Sequence, residues 1–434
     1  MAHSEAFRKQ RRKLLLAGAA VGGLGVAGFL QPEAQTAGHS RYFLTLQKAL
    51  RDKSLATPTL VIDRQRLNHN IAVLKRRIGE DFSYRIVAKS LPSVPMLQHI
   101  MATAGTRKLM LFHQPSLNQI AHTLPDSDVL LGKPLPVACA ERFYKQLETT
   151  PSGFKPDRQL QWLVDSPARL TEYRQLAEQR QQPMRVNLEI DIGLHRGGFA
   201  SQKTLVWALT TIERSPWLTF SGFMGYEPHI LKAPGPTNWL RDQAMARYQR
   251  FVDTAEHTLG RSISDLTLNT GGSTTYQLYQ GMAGRIPANE LAAGSALVLP
   301  SDFDVATLSD HQRAAFIATP VLKLLDRTRI PGAPGLGRLQ TLWNPNHART
   351  AFIYGGYWKA SPVSPPGLVT NGIYGRSTNQ EMLNLADGVP LEVGDRVFLR
   401  PHQSESVLLE FGDLAVFDGV KGEITERWPV FGRG

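Results

Sequence analysis

The spacing of apolar residues divides this chain into three stretches. An apolar Ala/Gly-rich run at 14–30 comes first. Residues 57–63 (Thr-Pro-Thr-Leu-Val-Ile-Asp) then read as a short strand, and 64–78 place Leu67, Ile71, Leu74 and Ile78 on one helical face. Strand-like runs recur at 84–88, 108–112, 129–131, 160–164, 185–190, 219–224, 266–268 and 296–299. Helical patterns fill the intervals, for example at 94–104, 138–147, 167–179, 203–212 and 237–259. Strands alternating with helices predict a parallel sheet, and eight of them predict closure into a (β/α)8 barrel of TIM type. From about residue 314 the helical period vanishes. Short alternating strands at 318–324, 350–354, 396–399 and 406–410 lie among Pro and Gly clusters, with 361–372 an irregular loop. The expected fold class is therefore α/β: a barrel over 55–313 followed by a C-terminal all-β domain over 314–434, on which 38–54 can pack.

Composition supports a large folded core, since 42% of the 434 residues are hydrophobic and 20% charged. The formal charge of +12 is partly concentrated in Arg8, Lys9, Arg11, Arg12 and Lys13. The remaining excess can steer anionic ligands such as phosphates or carboxylates. The basic run Lys75-Arg76-Arg77 falls inside a helical pattern, as a solvated face. No basic stripe with interleaved aromatics is found, which argues against a nucleic-acid partner. A single cysteine, Cys139, excludes an intramolecular disulfide and a cysteine-based zinc cluster.

Arg11-Arg12-Lys13 followed by the apolar run and then small residues has the layout of a secretory leader over 1–37. Twin arginines with a weakly hydrophobic core point to the twin-arginine (Tat) route, hence to a bacterial-type periplasmic protein exported already folded. About 17 residues rich in glycine make a poor spanning helix, so no stable membrane span is expected.

Candidate chemistry gathers at strand ends. Lys89 closes the run Ser83-Tyr-Arg-Ile-Val-Ala-Lys89. An amine at the end of a buried strand is partly desolvated, which disfavours its ammonium form and makes it a usable nucleophile toward an aldehyde such as pyridoxal phosphate. A solvated lysine at a strand terminus is the plainer alternative. Glu189-Ile-Asp191-Ile-Gly193-Leu-His195-Arg196-Gly197-Gly198 follows the fifth strand, with Glu189 and Asp191 on one face. These carboxylates are either ligand-facing or structural. Asn269-Thr-Gly271-Gly272-Ser273-Thr-Thr275 follows the seventh strand and offers free N–H groups and hydroxyls for a phosphate cup. Glu290-Leu-Ala-Ala-Gly294-Ser295 adds a second small-residue site at the eighth. Tyr226 and His229, ending the sixth strand, can meet a ring or substrate or simply pack. His402 stands alone in Arg400-Pro-His402-Gln-Ser404-Glu405.

Together these stretches resemble the fold-type III pyridoxal-phosphate enzymes, with an alanine racemase N-terminal barrel and a D-serine dehydratase-like C-terminal domain. The family includes D-threonine aldolases and D-serine dehydratases. The matching stretches span about 55–434: Thr57-Pro58…Asp63…Asn70, Val87-Ala-Lys89-Ser, Glu189…Arg196-x-Gly198, Gly222…Gly225-Tyr226, Thr270-Gly-Gly-Ser273 and Glu290…Gly294. The resemblance implies that Lys89 is the catalytic Schiff-base lysine. It places Gly271, Gly272, Ser273, Gly294 and Ser295 at the cofactor's phosphate, and Arg196 and Tyr226 at the cofactor's edge. It implies a lyase acting on D-3-hydroxy amino acids, of D-threonine aldolase type, releasing glycine and an aldehyde. An amino-acid racemase, a D-serine dehydratase-like ammonia-lyase and a cofactor-binding protein without turnover are the alternatives. A homodimer is implied as well. Family lyases hold a divalent metal, Mn2+ or Zn2+, through a histidine and a Cys or Asp two residues on. Here His402 is kept as a metal ligand candidate, but Ser404 stands in the second place. A hydroxyl is a poor ligand beside a carboxylate or thiolate. The arginine expected near the eighth-strand glycine is Ala292 or Ala293.

Overall fold

A computed structural model describes residues 31–333 and 335–432. The charged and apolar parts of the proposed leader lie outside the described residues. Among those described, no helix is long and apolar enough to cross a membrane. The described residues form two compact units, one of residues 59–317 with 400–432 and one of residues 31–58 with 318–399.

The larger unit begins with β1 (Thr59–Asp63). It continues with β2 (Ser83–Val87), β3 (Lys108–Leu111), β4 (Asp128–Leu131), β5 (Leu160–Val164), β6 (Met184–Glu189), β7 (Leu218–Met224), β8 (Thr267–Thr270) and β9 (Glu290–Ala293). Strands β2 to β9 make a closed parallel barrel, sealed where Ser83 pairs with Glu290. Helices Arg64–Ile78, Val94–Ala104, Pro167–Arg180, Gln202–Glu213 and Thr237–Leu259 are among those between the strands. Three of these five start on side-chain caps: Asp63, Ser166 and Ser201 accept the N–H groups of Arg66, Arg169 and Thr204. Strand β5 is buried along its whole length, with Trp162 donating to the Tyr144 hydroxyl at 3.0 Å.

The barrel interior also carries charge. Arg85 is fully buried and donates to Glu290 Oε2 at 3.0 Å, with Asp128 Oδ1 2.9 Å away. Lys108 Nζ lies 2.9 Å from Glu290 Oε2, and Asn269 Nδ2 donates to Glu290 Oε1 at 2.9 Å. Burial alone would raise the Glu290 pKa, but Arg85 and then Lys108 hold it below the usual carboxylate range.

The eighth barrel strand is Glu290–Ala293 rather than 296–299. Residues Ser295–Leu297 form a 3-10 turn, closed by Leu297 N–H donating to the Gly294 carbonyl. The apolar run at 296–299 is buried as a turn, which its hydrophobicity alone does not distinguish from a strand.

The smaller unit is built on most of β10 (Ala315–Leu325) and of β15 (Arg396–Pro401), together with β11 (Arg349–Tyr354), β12 (Ala360–Ser364), β13 (Val369–Thr370) and β14 (Gln380–Leu385). Strand β14 pairs antiparallel with both β11 and β13. Helix Arg41–Asp52 belongs to this unit. Two expectations are corrected here. The segment 361–372 contains β12 and β13 rather than an irregular loop. A helix, Leu336–Trp343, interrupts the β texture.

A third correction concerns the boundary. Residues 400–434 belong to the barrel unit, because β16 (Asp413–Asp418) returns to lie parallel to β1, with Leu60 opposite Leu414. Strand β17 (Glu423–Pro429) then pairs antiparallel with β16. Within this segment 406–410 is not a strand. The chain forms the short helix Ser404–Val407, whose first carbonyl accepts from Leu408 N–H.

Candidate active site

The C-terminal ends of the barrel strands open on one cleft. Lys89, Arg196, Tyr226, Gly271, Gly272 and Ser273 all line it, and Ser295 and Glu405 complete one side. All belong to the larger unit.

Lys89 reaches the cleft through the 3-10 turn Ala88–Ser90 that ends β2. The turn lifts the side chain out of the strand, leaving it 45% exposed and its Nζ 3.2 Å from Glu405 Oε1. The same Nζ sits 5.0 Å above the Phe112 ring. The desolvated amine expected from the sequence is therefore corrected to a solvated, ion-paired one, because the chain turns before the lysine can be buried. Glu405 Oε1 also accepts from Ser90 Oγ at 3.2 Å. Ser295 Oγ donates to Ser90 Oγ at 2.9 Å and lies 3.1 Å from Ser404 Oγ. Three hydroxyls and one carboxylate thus form a continuous polar wall beside the amine.

The opposite wall is the loop after β8. Gly271 adopts φ +83°, a left-handed conformation natural to glycine. Gly272 lies against Tyr226, whose Cε2 would be 2.8 Å from an added Cβ. Ser273 Oγ accepts the Gly294 N–H at 3.1 Å, tying this loop to the end of β9. Gly294 itself lies behind the wall, where an added Cβ would collide with the Val87 carbonyl.

The loop is anchored by a residue that sequence reasoning left unassigned. Glu227 is fully buried and accepts from Thr270 Oγ1 at 2.7 Å, Thr275 Oγ1 at 2.8 Å and Gly271 N–H at 3.2 Å. Burial pushes its pKa up, and these donors counter the shift without reversing it. Its position directly after Tyr226 was the available signal.

Arg196 arrives by a different route. After β6 the chain folds back on itself, with Phe199 N–H donating to the Glu189 carbonyl at 2.8 Å. Gly198, at φ +90°, permits this return, since a Cβ there would lie 2.8 Å from the Glu189 carbonyl oxygen. Asp191 holds the loop from within, accepting from Gly193 N–H and His195 N–H at 3.0 Å each and facing His195 Nδ1 at 2.7 Å. Burial opposes the ionised form of Asp191, but the bonds from His195 and Gly193 leave its pKa lowered. Its role is therefore structural. Glu189 sits 3.7 Å from Arg196, and burial raises its pKa. The Arg196 guanidinium lies 5.0 Å from the Tyr226 ring centre. Burial, then the nearby Glu227 carboxylate, raise the Tyr226 pKa. His229 is not a cleft residue. Its ring packs at Gly193 beside Arg247, away from Lys89.

The donor set matches an aldehyde cofactor carrying a phosphate. It offers a primary amine, a glycine-serine loop opposite it, a hydroxyl at Ser295 and a cation at Arg196 stacked on an aromatic ring. It does not match the metal implied through His402. Among the described residues no group of three His, Cys, Asp or Glu side chains is placed to hold a metal ion. Ser404 Oγ is engaged with Ser295, and Glu405 with Lys89 and Ser90.

The family model for the alanine racemase N-terminal domain matches residues 62–302. No curated protein matches the chain. Solved structures share its fold. D-threonine aldolase from Filomicrobium marinum superposes with TM-score 0.70 at 17% identity, over 87% of this chain and 96% of that one. D-threo-3-hydroxyaspartate dehydratase from Delftia sp. HT23 gives 0.66 at 16%, over 87% and 98%. Alanine racemase from Clostridium difficile 630 gives 0.64 at 14%, over 86% and 98%. The chain thus belongs to the alanine racemase N-terminal domain family, whose fold-type III members are pyridoxal-phosphate-dependent enzymes.

Proposed function

We propose that this protein is a pyridoxal-phosphate-dependent lyase acting on D-3-hydroxy amino acids, releasing glycine and an aldehyde. The observation that carries the reading is the Glu405 carboxylate 3.2 Å from the Lys89 amine, in a cleft faced by the Gly271-Gly272-Ser273 loop. When bound, the cofactor draws electrons from the substrate's Cα and weakens the bonds there.

The chain's own residues do the rest. Lys89 Nζ would hold the cofactor through its aldehyde, and its amine stands where it can return a proton to the substrate's Cα. The loop after β8 and the Ser295 hydroxyl would hold the phosphate. Arg196 and Tyr226, stacked 5.0 Å apart on the cleft wall, would border the cofactor and supply a cation beside it. Glu405 Oε1 takes the proton of the substrate's 3-hydroxyl, in place of a metal-activated alkoxide. The residues around His402 do not fit a metal, so no step runs through one.

The test is threefold. Purified protein reconstituted with the cofactor absorbs in the visible, and Lys89→Ala removes that band. Borohydride fixes the cofactor on the peptide containing residue 89. Glycine and an aldehyde accumulate in step from a D-3-hydroxy amino acid. A colourless reconstituted protein, or label on another lysine, defeats the proposal.

A racemase is the second reading. It is favoured by three exposed tyrosines on the smaller unit: Tyr354, Tyr357 and Tyr374, 42%, 60% and 43% exposed. In a homodimer a tyrosine from one copy can serve as the second acid–base group of the other. Loss of chirality with exchange of the Cα hydrogen, and no aldehyde, selects this reading. Ammonia release from D-serine selects a dehydratase. The twin-arginine leader supports export to the periplasm, tested by fractionation of cells carrying Arg11→Lys/Arg12→Lys.

A further inference from the structure

A second cavity of about 670 Å3 adjoins the cleft in the same unit. Four residues line both: Lys89, Phe112, Phe303 and Glu405. Beyond them the wall is apolar, made by Pro92, Leu111, Leu409 and Phe431. Leu111 is 1% and Phe431 7% exposed. Phe431 N–H donates to the Pro92 carbonyl at 2.8 Å, which fixes the C-terminal strap as part of the wall. Among the described residues the other polar groups of the lining are Ser116, His113 and Gln403, the last two exposed to solvent.

We infer that this cavity receives the substrate's side chain, and that the preferred substrate is a 3-hydroxy amino acid bearing a large apolar group, such as an aryl ring, on Cβ. The inference rests on the lyase reading and adds the substrate class to it. Three features argue for it. The cavity begins at the Lys89–Glu405 pair, so a side chain leaving the reacting carbons enters it directly. Its size falls within the roughly 300–1,000 Å3 typical of small-molecule pockets, which a methyl group leaves largely empty. Its electrostatics reject an acidic side chain, because Glu405 stands at the threshold with like charge. Among the described residues lining the cavity the one ammonium is Lys89, which is committed to the cofactor and to Glu405. A buried carboxylate without a partner is strongly disfavoured. The 3-hydroxyl, at the neck between cleft and cavity, meets the Glu405 carboxylate.

The test compares kcat/KM of the reconstituted enzyme for three D-3-hydroxy amino acids: one with an aryl, one with a methyl and one with a carboxyl substituent on Cβ. The expected order is aryl over methyl by at least about tenfold, since each methylene accommodated by an apolar pocket gives on the order of tenfold or more, and carboxyl last. Leu409→Glu should shrink the aryl-to-methyl ratio about tenfold. Leu409→Ala, a milder change, should lower it less, which guards against misfolding. A readout without turnover is the cofactor absorbance perturbed by D-phenylalanine, D-alanine and D-aspartate, expected to saturate at the lowest concentration with D-phenylalanine. An aryl-to-methyl ratio near one, a preference for the carboxyl substrate, or a ratio untouched by Leu409→Glu overturns the inference. Failure of the Lys89 labelling instead overturns the lyase reading beneath it.

Discussion

Replacing Glu227 with alanine tests whether a residue that does not line the cleft builds the glycine-serine loop across from Lys89. Its carboxylate accepts from two threonine hydroxyls and one backbone N–H with no solvent contact. Each buried donor left without a partner costs about 1–3 kcal/mol. Allowing for relaxation, we expect a loss of about 4 kcal/mol, a large part of a typical folding margin of about 5–15 kcal/mol. The freed loop must also be reordered when phosphate binds, at about 1–2 kcal/mol per residue. Affinity for the cofactor should therefore fall about tenfold or more, although every residue lining the cleft is kept. Urea unfolding of the cofactor-free protein reads the first quantity, and titration of the visible absorbance reads the second. Glu227→Gln keeps the shape and one acceptor and should fall between wild type and alanine. Its pH dependence supplies a sign. Burial raises the carboxyl pKa in the folded state, so the folded protein binds this proton more tightly than the unfolded chain. That contribution is present below the ordinary carboxylate range and is lost as pH rises through the folded value, with a slope of at most about 1.4 kcal/mol per pH unit. Wild type should gain on Glu227→Gln as pH is lowered. Alanine and wild-type proteins unfolding at the same urea concentration and binding cofactor equally would refute the reasoning, as would a wild-type advantage that grows with pH.

Other changes probe the remaining contacts. Glu290→Ala removes the fully buried partner of Arg85, leaving it only the half-exposed Asp128, and also strips Lys108 of its carboxylate; it should cost about 3 kcal/mol, measured by denaturant unfolding. The pKa of Glu290 is lowered in the fold, so its stabilisation is present above the ordinary carboxylate range and disappears as pH falls through the folded value. Gly272→Ala pushes a methyl into Tyr226 and should cost about 1–3 kcal/mol by overpacking, with weaker cofactor binding by absorbance titration. Chelator treatment should leave the lyase rate unchanged, and added Mn2+ or Zn2+ should not raise it. A rate that collapses on chelation and returns with metal would show that the residues around His402 hold a metal after all.

The sequence by itself determined the barrel, because alternating strand and helix periods record which faces are buried, and burial patterns survive without knowledge of any partner. It also singled out strand ends that meet in space: Lys89, Arg196, Tyr226 and Gly271 to Ser273 line one cleft. Hydrophobicity could not separate a buried turn from a buried strand, so 296–299 was misread and the eighth strand displaced. It could not show that residues 400–434 return to the barrel, since the pairing of β16 with β1 joins segments more than 350 residues apart. Tertiary structure alone decided the state of the site. The turn at Ala88–Ser90 sets Lys89 against Glu405 rather than in an apolar pocket. Glu227 became an anchor only when β7, β8 and the loop between Thr270 and Thr275 met around it. Periodicity reports what one element hides. Which charge faces which depends on contacts between elements, and those exist only once the chain has closed on itself.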